Sequence, residues 1–255
     1  MRIIAISVVS LIFLFLPLLA SAERLSVAVA ANFLGTLEQL KPGFEAASGH
    51  QLEISWGSTG KLYLQITQGA PYQLFLAADS VRPQRLVDAG LAVASSRVTY
   101  AVGCLALYSR YSTALAAEGE QWLRGSEKGY LAISNPALAP YGIAARQTLQ
   151  GLGLWSAYQG RLVLGENVNQ TFRYVVSSAA EAGLVARSQV QTAVAEWGGS
   201  YWLVPARLYS PIEQQLVVLS SAQQSPAAQA FVEWLQGAAA QAIILDHGYS
   251  LERCG

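Results

Sequence analysis

Short apolar runs rich in Val, Leu and Ile alternate along this chain with longer stretches of helical period, an order that confines it to sheets flanked by helices. Residues 25–30 read as a first strand and 34–48 as its helix, where Leu34, Leu37, Leu40 and Phe44 recur at three- and four-residue steps. Gly49 supplies the stop. Strands follow at 52–56 and 74–78 around a helix at 60–68, with Gly69-Ala70-Pro71 as the break. A second series begins with a strand at 102–108 and continues with a strand at 131–134, a helix at 143–152, a strand at 161–164, a helix at 169–178 and a strand at 183–186. The tail returns with a strand at 216–219 and helices at 227–236 and 238–247. No Gly/Ser linker divides the two series, so two lobes sharing chain crossings are expected: 23–100 with 209–255, and 101–208, crossing near Ala101 and Ser210.

Ahead of these elements, Arg2, the apolar run 3–19 and Ala20-Ser21-Ala22 have the three parts of a secretory signal, with cleavage expected after Ala22. A transmembrane anchor is the alternative; the run is close to the lower limit for a span, and the small residues at 20 and 22 favour cleavage. Without residues 1–22 the chain has 233 residues, with 15 basic and 16 acidic side chains. That balance argues against nucleic acid or an anionic membrane as partner, since both need a basic face. Cys104 and Cys254 would meet an oxidising compartment and are able to pair there, or Cys104 stays a buried thiol in its apolar run. With His50 and His247 they are too scattered for a zinc site.

Four loops put small polar residues or open backbone just ahead of an expected helix: Ala30-Ala31-Asn32-Phe33, Gly57-Ser58-Thr59-Gly60, Pro140-Tyr141-Gly142 and Glu166-Asn167-Val168. In open α/β sheets the ligand crevice lies beyond the carboxyl ends of the strands, which is where such loops sit. A helix N-terminus carries unpaired N–H groups and about half a positive charge, so four of them aimed at one point balance a dianion without Lys or Arg. Ser58 and Thr59 offer hydroxyls as well as backbone donors, Asn32 an amide, and Tyr141 and Val168 at least their N–H groups. A shell made only of donors selects a fully ionised ligand, because a protonated one leaves an O–H facing an N–H.

Each loop has a plain structural reading too. Ser-Thr-Gly ahead of a helix is commonly a cap, Asn32 is able to cap without a ligand, and Tyr141 after Pro140 is able to finish a turn. Lys61 reads as a solvated first-turn lysine and Asp79 as a cap or hinge contact. The joint occurrence at successive loops favours binding. If so, Ser58→Ala and Thr59→Ala weaken binding with little change in the melting temperature of the free protein.

With these residues the chain resembles the periplasmic molybdate-binding proteins of ABC transporters, which have the type II periplasmic-binding-protein fold. The resemblance is carried by Val27-Ala28-Val29-Ala30-Ala31-Asn32-Phe33, by Gly57-Ser58-Thr59-Gly60-Lys61-Leu62, by Gly69-Ala70-Pro71 and by Phe75-Leu76-Ala77-Ala78-Asp79. Asn135-Pro136, Pro140-Tyr141-Gly142, Glu166-Asn167-Val168 and Ala182-Gly183-Leu184-Val185 follow in the family order. It implies two α/β lobes, each a mostly parallel sheet flanked by helices, with the ligand in the cleft between them. It also implies oxyanion contacts from Asn32, Ser58, Thr59, Tyr141 and Val168, the last two mainly through backbone N–H. Molybdenum would be held only as molybdate, with no protein atom as a metal ligand and no cofactor. The implied partner is the membrane permease of an ABC importer, served by a monomeric periplasmic protein. Some members carry a Tyr where this chain has Ala186, and the similarity is to the subgroup that uses Asn and Tyr at the first and third loops instead.

Two other classes compete. A receptor of the same fold for sulfate, phosphate or an organic anion is one, although organic carboxylates usually need an Arg clamp that these loops lack. A secreted serine hydrolase is the other, without a Gly-x-Ser-x-Gly elbow or a histidine placed to meet Ser58.

Overall fold

A computed structural model describes residues 22–125 and 129–254; the expected signal segment lies outside the described residues apart from Ala22. In chain order the elements begin with β1 (Arg24–Ala30), α1 (Leu34–Ser48), β2 (Gln51–Gly57), α2 (Thr59–Thr67), β3 (Leu74–Ala77), α3 (Val81–Asp88) and β4 (Val98–Gly103). There follow β5 (Leu105–Ser109), α4 (Leu115–Arg124), β6 (Leu131–Ser134), α5 (Pro140–Gly151), α6 (Trp155–Tyr158) and β7 (Leu162–Gly165). The remainder is α7 (Val168–Val176), β8 (Ala182–Ala186), α8 (Arg187–Trp197), β9 (Ser200–Leu203), β10 (Ile212–Val218), α9 (Pro226–Leu235) and α10 (Ala238–Asp246).

The strands make two five-stranded sheets, ordered β2-β1-β3-β10-β4 and β7-β6-β8-β5-β9. In each sheet four strands run one way and one is reversed: β10 is antiparallel to β3 and β4, and β5 to β8 and β9. Each reversed strand is the first one laid down after the chain changes lobe.

Apolar side chains on both faces of β1 explain why it reads as a continuous apolar run. Leu25, Val27 and Val29 pack with Leu37, Leu40 and Phe44 of α1 and with Phe231 and Ile244, while Ala28 packs with Leu62, Phe75 and Leu86 on the opposite face. Helix α1 stops at Gly49, which takes φ 74°, a left-handed conformation that glycine adopts without steric penalty. The core of the second lobe, built on Leu107, Ile133, Leu149 and Leu184, reaches Ala30 and Ala78 at the ends of β1 and β3, so the two lobes are in contact.

One expected element is two. The strand at 102–108 breaks at Cys104, with β4 in the first sheet and β5 in the second. Both pieces are buried, so the hydrophobic run is unbroken although the backbone changes sheets. The chain thus leaves the first sheet after Gly103, a little beyond the crossing expected near Ala101, and returns between Leu203 and Ile212. Helices α3, α4, α6 and α8 and the edge strand β9 are further elements that the alternation did not mark. Strand β9 is only half-buried, and α3 is a short helix of eight residues that carries Pro83 between two arginines.

Cys104 and Cys254 form a disulfide with their Cα atoms 5.6 Å apart. It fastens the end of the chain to the crossing between the lobes.

Candidate functional site

Four strands of the two sheets end at the cleft, and each hands over to a helix there. β1 leads through a 3-10 turn, Ala31–Phe33, into α1, and β2 leads through Ser58 into α2. β6 leads to α5 by way of Ala139, and β7 leads to α7 by way of Asn167. The loop ends 30–32, 57–59, 139–141 and 167–168 line one small cavity, two loops coming from each lobe. Asn32, Ser58, Thr59, Tyr141 and Val168 all border it and all are buried; none of the lining residues carries a charge.

The donors that this geometry presents are chiefly backbone. Thr59 and Val168 are the first residues of their helices and Tyr141 is the second, so their N–H groups have no carbonyl to meet within the helix. The N–H of Asn32, inside the 3-10 turn at the head of α1, is placed in the same way. The positive ends of the helices therefore converge on the cavity from both lobes.

The side chains divide differently from the sequence expectation. Ser58 caps α2, its Oγ accepting from Lys61 N at 3.4 Å, and its hydroxyl proton is left to donate. Thr59 Oγ1 accepts from the N–H of Ala78 at 3.1 Å, a buried bond that ties the head of α2 to the end of β3. The Asn32 amide is not offered to the cavity: Nδ2 donates to Gln214 Oε1 at 2.7 Å and to the Tyr249 hydroxyl at 3.0 Å, which uses both of its hydrogens. Residue 32 is left with its backbone N–H. The Tyr141 hydroxyl lies against Gly103 at the lobe crossing, where any Cβ would collide with it, so residue 141 likewise brings its N–H.

Burial raises the Tyr141 phenol well above the ordinary tyrosine range and pushes Tyr249 up to about 12, the latter against the opposing effect of its hydrogen bonds to Ser188, Asn32 and Thr36. Both phenols therefore remain neutral at physiological pH and add no negative charge beside the cavity.

Lys61 does not supply the site with a cation. Its Nζ lies 2.8 Å from Glu166 Oε1 across the cleft, and both side chains are about half exposed, so the pair is worth at most about 1 kcal/mol. Asp79 accepts from Arg82 N at 2.9 Å and pairs with the Arg82 guanidinium, which is a cap at the start of α3. Ala186 is fully buried at the end of β8, donates its N–H to Gln189 Oε1 at 3.1 Å and does not border the cavity. His50 Nδ1 accepts from Glu23 N at 3.1 Å and His247 Nδ1 lies 3.1 Å from Thr36 Oγ1; neither borders the cavity. Among the described residues no group of three or more His, Cys, Asp and Glu side chains is placed to hold a metal ion.

Contacts between the lobes hold the cleft nearly shut. Gly60 N donates to Leu138 O at 2.8 Å, and Arg82 Nη2 reaches Ala137 O at 3.5 Å. Gly60 is required for that approach: a Cβ there would stand 2.7 Å from Leu138 O and 3.1 Å from Leu138 Cα.

The Thr59 contact changes one expectation. Thr59→Ala leaves the Ala78 N–H buried without a partner and is expected to lower the stability of the ligand-free protein by about 1–3 kcal/mol. Ser58→Ala removes only a long capping bond and is expected to cost about 0.5 kcal/mol. Urea denaturation of the two variants without ligand separates these values, and equal losses would contradict the assignment.

Residues 25–250 match the family described as bacterial extracellular solute-binding protein. Molybdate-binding protein ModA of Azotobacter vinelandii is 43% identical over 233 residues, which is 91% of this chain and 92% of that one. Its counterpart in Rhodobacter capsulatus is 38% identical over 237 residues, 93% of this chain and 92% of that one. The solved periplasmic molybdate-binding protein of Azotobacter vinelandii aligns with a TM-score of 0.84 at 43% identity, covering 89% of this chain and 99% of that one. The two lobes, the cleft between them and the match over 25–250 place this chain in the bacterial extracellular solute-binding protein family, with the type II periplasmic-binding-protein fold.

Proposed function

We propose that this protein captures molybdate or tungstate in the periplasm and delivers it to the permease of an ABC importer. The observation that carries the reading is the convergence of four uncharged helix N-termini, two from each lobe, on a cavity with no charged lining residue. The dianion would be bound by the N–H groups of Asn32, Thr59, Tyr141 and Val168 together with the hydroxyl of Ser58. The names of the Azotobacter and Rhodobacter relatives support the same ligand class. The protein acts as a monomeric receptor rather than an enzyme, needs no cofactor, has no nucleic-acid partner and is released from its signal after Ala22. Its lobes follow the expected division of 23–100 with 209–255, and 101–208, with the first crossing moved to the end of β4, which gives 23–103 with 209–255, and 104–208.

Neutral donors suit a receptor that must let go. Helix-end contacts come from both lobes in the closed form and from one in the open form, so parting the lobes releases the anion without breaking a desolvated ion pair. Among tetrahedral dianions, molybdate and tungstate have nearly equal size and charge, and sulfate is smaller. A donor shell set for the larger ions leaves sulfate short of some donors, at about 1–3 kcal/mol for each hydrogen bond lost. Calorimetric titration with molybdate, tungstate, sulfate and phosphate is expected to give similar tight binding of the first two and at least about 100-fold weaker binding of the others. Equally tight sulfate binding would overturn the assignment in favour of a sulfate receptor of the same fold.

A further inference from the structure

Behind the cavity, and not bordering it, lies a buried polar cluster that grips residue 32. The Tyr249 hydroxyl donates to the Asn32 carbonyl at 2.7 Å and accepts from Asn32 Nδ2 at 3.0 Å. Asn32 Nδ2 also donates to Gln214 Oε1 at 2.7 Å, and Gln214 Nε2 is held by the carbonyl of Ile212 at 3.0 Å. Ser188 Oγ, from the other lobe, approaches the same tyrosine oxygen at 3.5 Å.

The two gripping residues are themselves fixed. Tyr249 follows α10 on a strap that bonds to β4 through Val102 and Ser250, at 2.7 and 2.9 Å, and ends in the disulfide at Cys254. Its ring packs edge-on to Phe33 at 5.3 Å. Gln214 sits in β10, fully buried, where the chain has just returned from the second lobe.

We propose that Tyr249 and Gln214 are positioning residues for the oxyanion site. By holding residue 32 at its carbonyl and its side-chain amide, they fix the peptide planes of the turn at 31–33, and so the direction in which the Asn32 N–H meets the ligand. This inference rests on the oxyanion reading given above for its ligand, but the positioning itself is measurable without one.

The test uses the full mature protein, molybdate as the titrant, and the variants Tyr249→Phe and Gln214→Leu. Tyr249→Phe keeps the ring against Phe33 and is expected to weaken molybdate binding about tenfold through loss of the preset donor. In ligand-free protein, amide hydrogen exchange is expected to accelerate over 31–34 and stay unchanged at 57–60, 140–142 and 167–169, a local pattern that general destabilisation would not give. Gln214→Leu is expected to act in the same direction, and the double variant to lose less affinity than the product of the two single effects, since both act through Asn32. Unchanged molybdate affinity and unchanged exchange in Tyr249→Phe would overturn the proposal. If the parent protein binds no molybdate, the oxyanion reading fails instead, and exchange over 31–34 still decides the positioning: faster in either variant supports it, equal in both overturns it.

Discussion

Gly60→Ala is expected to reduce molybdate affinity by about 100-fold or more while leaving the ligand-free protein as stable as the parent, or slightly more so. Gly60 is the second residue of α2 and belongs to the first lobe, whereas the atoms its Cβ would strike, Leu138 O and Cα, belong to the second. In the open form the added methyl group meets nothing across the cleft, and within the helix alanine is favoured over glycine by about 1 kcal/mol. In the closed form it forces the lobes apart and breaks the Gly60 N to Leu138 O bond of 2.8 Å. The donors then lost are those of the second lobe, the N–H groups of Tyr141 and Val168. Two hydrogen bonds to a charged ligand at about 1.5–3 kcal/mol each give at least about 3 kcal/mol, which is the hundredfold stated. Calorimetry gives the affinity, and X-ray scattering with and without molybdate reports whether the lobes still close. Parent-like affinity in Gly60→Ala would mean that the ligand is held by one lobe alone.

The same comparison ranks the contacts at the cleft. The Lys61–Glu166 pair is the most conspicuous link between the lobes, but it is half exposed and contributes at most about 1 kcal/mol. The glycine contact is less visible and matters more, because close backbone approach is set by excluded volume and cannot relax as a long side chain does. Closure thus depends on a missing side chain next to the Ser58-Thr59 loop. The same short segment therefore supplies donors to the ligand and permits the other lobe to reach it.

Much of this was legible in the residues. β1 and α1 announce themselves because β1 is apolar on both faces and α1 repeats its apolar residues every third and fourth position. The four loops were legible as helix starts, since Ser58 and Asn167 have the chemistry of caps and Pro140 is well placed at a first helical position. What side chains do inside those loops was not legible. Asn32 looks like a donor to a ligand, yet its amide is occupied by Gln214 and Tyr249, partners 182 and 217 residues away in sequence. Thr59 looks like a second ligand hydroxyl, and the sequence does not show that its oxygen also accepts from the N–H of Ala78. Local pattern cannot reveal a bond between residues so far apart in sequence, and the crossing at Cys104 is hidden for a related reason: hydrophobic periodicity records burial and not which sheet a strand joins.

The cysteine pair, left open by the sequence, leads to the other large effect. Cys254→Ser is expected to lower the stability of the mature protein by about 3–5 kcal/mol, because the bond closes a loop across 150 positions and so removes much of the conformational freedom of the unfolded chain. For a domain of this length that corresponds to a fall in melting temperature of about 10 °C. Serine nearly matches the cysteine in volume, so the loss comes mainly from the missing link rather than from packing against Val102 and Ala206. Reduction of the parent protein should reproduce it, and reductant should leave Cys254→Ser unaffected. Urea denaturation of the parent, the reduced parent and the variant checks all three. The bond also anchors the strap bearing Tyr249, so the variant should bind molybdate more weakly even at temperatures where it is fully folded. A variant that lost stability but kept the parent's affinity would show that the bonds of Val102 to Ser250 are enough to hold the strap. One that lost neither would show that the unfolded chain is already so compact that the link removes little of its freedom.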